Sequence, residues 1–172
     1  MSGFRPRFVT DATAIPDSPV RRFTNALTAP QAPIMYIMTT DSARAEEHVG
    51  EWKVRLAADS LEQLFAEMAR VVARCCGPTR GEPGPWERVT LQANDADALL
   101  ADWANELIGR SEVAQRAYDE VRNLTVAGTQ LQADVRGREV VDWRSPLKAA
   151  TYHGVHVARS DGGWSADVLF DV

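Results

Sequence analysis

Glu51-Trp52-Lys53-Val54-Arg55-Leu56-Ala57-Ala58-Asp59-Ser60-Leu61-Glu62-Gln63-Leu64-Phe65-Ala66-Glu67-Met68-Ala69-Arg70-Val71-Val72 is the stretch in which the spacing of apolar side chains changes. Up to Leu56 they alternate with charged residues, which describes a strand with one buried face. From Leu61 on, Leu61, Leu64, Phe65, Met68, Val71 and Val72 recur at helical spacing. Asp59 stands at the junction as the expected N-cap, with Glu62 three residues on in a capping-box arrangement. The helix should stop near Gly77-Pro78, because proline offers no amide hydrogen and glycine permits the reversal.

The same switch recurs further along. Pro78 to Pro85 is a loop, and Trp86 to Ala93 alternates again, with Val89 and Leu91 apolar. Asn94-Asp95 caps a second helix carrying Leu99, Leu100, Trp103, Leu107 and Ile108 on one stripe. Gly109 marks its expected end. Residues 111–119 fit a helical turn or a loop equally well. Two strands, 120–126 and 130–135, form a hairpin across Ala127-Gly128. A strand over 147–158, a tight turn at Asp161-Gly162-Gly163 and a final strand over 164–172 complete the chain. The order strand, helix, strand, helix, then four strands is an α+β pattern, with two helices packed on one face of an antiparallel-rich sheet.

Before position 46 the character differs. Pro6, Pro16, Pro19, Pro30 and Pro33 interrupt the stretch and no period survives. Residues 1–45 therefore read as a disordered or loosely attached tail, and 46–172 as one domain.

The chain has 172 residues, 45% apolar and 25% charged, with a formal net charge of −5. Such a length can bury its own core. An acidic chain lacks the basic footprint that sequence-independent nucleic-acid binding requires, so RNA would be met only through a partner protein. The longest apolar runs fall far short of a membrane span of roughly 20 residues. Cys75 and Cys76 are adjacent, lack zinc-knuckle spacing and fit a helix end in a reducing, cytoplasmic setting. Phosphate loops, dinucleotide fingerprints, zinc-protease helices and nucleophile elbows are all missing from the sequence. His153 and His156, three apart on a strand, point to opposite faces and are poorly placed to share a metal.

The C-terminal third carries more specific signals. It reads Lys148-Ala149-Ala150-Thr151-Tyr152-His153, then Gly163-Trp164-Ser165-Ala166-Asp167-Val168-Leu169-Phe170-Asp171. Together with Asp59 to Phe65 and Asp102-Trp103-Ala104-Asn105-Glu106-Leu107, these stretches resemble the archease family in order and spacing over roughly residues 47–172. The resemblance implies a strand-helix-strand-strand core and a non-enzymatic role. It implies an accessory protein that activates the tRNA-splicing RNA ligase, promoting its guanylylation and repeated turnover.

The resemblance also implies a metal site. The family's acidic positions fall on Asp171 and, without gaps between His48 and Asp59, on Glu51, where the family has aspartate. A hard divalent cation is expected there, calcium first and magnesium or manganese as alternatives, with oxygens of Val172 adding to the set. Glu51 is longer by one methylene, which calcium tolerates better than magnesium. Both carboxylates are out of phase with the apolar positions of their strands. If the strands are neighbours, the like charges meet and a cation relieves the repulsion. Asp102, Glu106, Lys148 and His153 are expected partner-contact residues. Two rival readings use the same residues. One is a binding module for another partner or ligand. The other is a metal-dependent phosphodiester hydrolase built on Glu51 and Asp171.

Overall fold

The computed structural model describes residues 39–40, 50–160 and 162–172. Apart from Thr39 and Thr40, the expected tail over 1–45 lies outside the described residues. The elements run β1 (Thr39–Thr40), β2 (Glu51–Ala58), α1 (Leu61–Cys76), β3 (Thr79–Arg80), β4 (Glu87–Gln92), α2 (Ala96–Ala114), β5 (Arg116–Ala127), β6 (Gln130–Val140), β7 (Ala149–Ser160) and β8 (Gly163–Asp171). This is the α+β architecture expected from the sequence. Every strand pairing is antiparallel among the described residues.

The strands divide between two sheets. One has the order β1-β2-β8-β7; in the other, β6 is the hub and pairs with β3, β4 and β5. β2 and β8 pair along their whole length, from Glu51 opposite Asp171 to Ala58 opposite Trp164. The β5–β6 hairpin turns at Gly128, whose φ of 61° lies in the left-handed region that glycine enters without strain.

Helix α1 starts one residue later than Asp59 and Glu62 suggested. Ser60 is the N-cap, and its Oγ accepts from the Gln63 amide at 3.2 Å. The Gln63 side chain in turn accepts from the Asp59 amide at 3.1 Å. The serine hydroxyl and glutamine amide thus close a box one position along from the expected one. Helix α2 begins as expected at Asp95, which accepts from the Ala98 amide at 2.7 Å. It runs through Gly109 to Ala114, and Gln115 takes the left-handed turn instead, with φ 52°. Ile108 and Ser111 are buried on either side of Gly109, so packing carries the helix past it. This resolves 111–119 into the helix end followed by the start of β5.

The core forms where both helices meet the sheets. Leu56, Leu64, Phe65, Met68, Leu99, Leu100, Leu107 and Phe170 are fully buried. Each such side chain contributes about 1.5–3 kcal/mol relative to its exposed state. Trp103 lies among them, and its indole N–H donates to the Phe65 carbonyl at 2.9 Å, tying α2 to α1. Cys75 and Cys76 sit at the end of α1 as free thiols. Burial pushes the Cys75 thiol up to about 11, which leaves little of the reactive thiolate.

Candidate functional site

The β2–β8 register brings Glu51 and Asp171 directly opposite one another. In β2, Val54 and Leu56 are buried while Glu51, Lys53 and Arg55 are exposed. In β8, Ala166, Val168 and Phe170 are buried, so Asp171 also turns away from the core. Two carboxylates therefore share one side of a cross-strand pair. The end of β8 is tied on both flanks. The Val172 amide donates to the Gly50 carbonyl at 3.0 Å, and the Lys148 amide donates to the Asp171 carbonyl at 2.9 Å. The Lys148 ammonium donates to the Val172 main-chain oxygen at 2.9 Å. Glu51, Lys148, Asp171 and Val172 thus form one cluster.

The donors there are oxygens only. Carboxylates with main-chain oxygens are the set a hard cation such as calcium takes, with water completing its shell. Among the described residues no group of three or more His, Cys, Asp or Glu side chains is placed to hold a metal. The oxygens gathered there are those of two side-chain carboxylates and of the main chain. Lys148 already donates to the Val172 oxygen and would compete with an ion there.

A second cluster lies where α2 meets β7, an edge strand of its sheet. The Asn105 carboxamide bonds both backbone groups of Ala150, accepting from the amide at 2.7 Å and donating to the carbonyl at 3.1 Å. One helical stretch earlier, Asp97 Oδ1 accepts from the Val157 amide at 2.7 Å. Helix side chains thus satisfy backbone groups that an exposed edge would leave open. Between these anchors the β7–β8 register slips between Thr151 and His156, so strict alternation is lost. The slip leaves both Tyr152 and His153 exposed. Gly154 lies beneath them, and a Cβ there would meet the Leu169 Cβ at 2.1 Å, so the bulge closes only with glycine.

Tyr152 is 58% exposed, and its hydroxyl donates to Asp102. That bond, more than burial, raises the phenol above its usual range. His156 Nδ1 lies 3.8 Å from Asp97. Of the expected partner-contact residues, Asp102 and His153 belong to this second cluster and Lys148 to the first. Glu106 stands apart. Arg110 donates to Glu106 at 2.6 Å and to Glu87 at 2.8 Å, and the Tyr118 hydroxyl donates to Glu87 at 2.8 Å. Burial, then the Glu87 bond, pushes the Tyr118 phenol up to about 12.

Asn105 and Asp97 were not singled out as edge-binding residues. On a helical wheel they look like solvated positions. The only signal in the sequence is a carboxamide and a carboxylate eight positions apart on the side of α2 away from its apolar stripe.

An α+β domain with an acidic strand pair and a helix-guarded sheet edge is thus defined, and known proteins share its fold. The model of the Archease protein family matches residues 44–172, and the chain belongs to that family. It is 30% identical over 135 residues to the protein archease of Methanopyrus kandleri, covering 73% of this chain and 96% of that one. The archease of Methanosarcina mazei is 26% identical over 136 residues, covering 73% and 92% respectively. Among solved structures, an archease of Thermotoga maritima described as a possible chaperone superposes with a TM-score of 0.55 at 19% identity, covering 76% of this chain and 97% of that one. A Methanobacterium thermoautotrophicum protein solved in solution gives 0.56 at 22% identity, covering 74% and 96%. These two likenesses concern the fold. No helix among the described residues is long and apolar enough to cross a membrane.

Proposed function

We propose that this chain is an accessory activator of a tRNA-splicing RNA ligase. It promotes ligase guanylylation and repeated turnover in tRNA splicing or RNA repair, by protein contact in the cytoplasm and with no covalent step of its own. The observation that carries this reading is the family match over residues 44–172. The description of the Thermotoga maritima relative as a possible chaperone is in keeping with a partner-binding role. The formal charge of −5 favours a protein partner, with RNA reached only through it.

The reading includes a divalent cation held by Glu51, Asp171 and a Val172 oxygen, calcium before magnesium or manganese. The cross-strand placement of the two carboxylates supports it, because a cation between them relieves their repulsion. Bound there, the ion would supply positive charge at an otherwise anionic strand end. Glu51 and Asp171 would orient it, and Lys148 would compete with it for the Val172 oxygen.

Ligase guanylylation, measured with GTP and a divalent metal in the presence and absence of this protein, tests the activator role. Acceleration of a cognate ligase is expected. An unchanged rate would overturn the role and leave a binding module for another partner.

A further inference from the structure

Of the four acidic side chains of α2, Glu112 is exposed in the last turn, and Asp97, Asp102 and Glu106 are half-buried and treated differently. Asp97 has His156 at 3.8 Å, and Glu106 has Arg110 at 2.6 Å. Asp102 has no cation of its own among the described residues; its bond is to the neutral Tyr152 hydroxyl. It opens on a groove of about 600 Å³ lined by Gln92, Ala93, Asn94, Ala98, Asp102 and Tyr152. Among the described residues no lysine, arginine or histidine lines that groove. Its wall is the exposed ring of Tyr152, held in place by the Asp102 bond at one end and by the Gly154 bulge at the other.

We infer that this groove receives an arginine side chain presented by a partner protein. The inference rests on the reading of this chain as a partner-binding accessory protein, and names the contact. A guanidinium is planar, so it can stack on the Tyr152 ring while its edge donates to the remaining oxygen of Asp102. Side-chain carbonyls of Gln92 and Asn94 supply further acceptors for its other N–H groups. An ammonium offers one point charge and no plane, so it would use only part of this arrangement. A phosphate or acidic peptide would meet the Asp102 charge with its own, and no base among the described residues of the groove offsets it.

The test is a titration of the full chain with a blocked Gly-Arg-Gly peptide, followed by nuclear magnetic resonance. Lysine and citrulline versions serve as controls. The arginine peptide is expected to shift the signals of Asn94, Asp102 and Tyr152 saturably. The lysine peptide is expected to bind about fivefold more weakly, and neutral citrulline more weakly still. Asp102→Asn keeps an acceptor for the phenol and removes the charge, so it should lose about tenfold in affinity. Tyr152→Ala should lose about fivefold, whereas Tyr152→Phe, which keeps the ring but loses its tie to Asp102, should lose less than that. Equal binding of the three peptides would overturn the inference. So would wild-type affinity in both Asp102→Asn and Tyr152→Ala.

The same variants in the guanylylation assay separate the two claims. Lack of acceleration by the wild type speaks against the ligase role alone. Full acceleration by Asp102→Asn and Tyr152→Ala speaks against the groove alone.

Discussion

Two carboxylates on β8 have opposite company. Asp167 lies across from Arg55, which donates to it at 2.7 and 3.1 Å, and Lys53 approaches at 3.3 Å. Asp171, on the same side of the same strand, lies across from Glu51. The strand pair is thus able to match acid with base and does so at one point. At its end it sets acid against acid. Pairing of the first kind is complete within the chain and leaves nothing for a ligand. Pairing of the second kind is unfavourable until something positive arrives. The proposed cation site lies at the second pair.

Glu51→Arg would turn the second arrangement into a copy of the first. If Glu51 and Asp171 hold a cation, calcium affinity measured by calorimetry should fall more than tenfold, a loss of over about 1.4 kcal/mol. Wild-type affinity in this variant would remove Glu51 from the site. Asp171→Ala should have the same effect without adding a positive charge.

The helix-guarded edge gives a stability prediction of similar size. Asn105→Ala leaves both polar backbone groups of Ala150 without their partner. It should lower unfolding free energy by about 1–3 kcal/mol in urea titration. A change within experimental error would mean that water replaces the carboxamide at no cost. Ser60→Ala removes the α1 cap and should cost about 1 kcal/mol in the same measurement.

The smallest effect expected is on acid stability. Hydrogen bonding from Arg55, with a further contribution from Lys53, holds the Asp167 carboxyl below its usual range. A carboxyl depressed in the folded state stabilises above its unfolded pKa of roughly 3.9 and loses that contribution as pH falls through the lower folded value. Stability measured from pH 5 downward should therefore fall, and Arg55→Met should flatten the slope. An identical slope in the variant would show that the Arg55 bond is not what titrates.

How much of this could be read from the sequence depended on the range of the forces involved. The change of period at residues 51–72 is local, and it placed β2 and α1 to within a residue or two. The cap moved from Asp59 to Ser60 because either side chain can accept an amide, and only backbone geometry chooses between them. The end of α2 was misplaced because Gly109 has nothing near its missing Cβ and so breaks no packing. The division of the strands into two sheets depends on pairings distant in sequence, which periodicity does not encode. The outward phase of Glu51 and Asp171 was legible, whereas the adjacency of their strands shows only in the register of the structure. The groove at Asp102 was not, because it exists only where a helix face meets a slipped strand.

The pairing of β2 with β8 also bears on time. Glu51 and Asp171 lie near opposite ends of the described domain, so everything between them must be made before they can meet. Closing so long a loop is costly in entropy and slows the step that depends on it. The acidic pair is therefore among the last features a newly made chain acquires. Any ion or partner that reads it distinguishes finished molecules from those still folding.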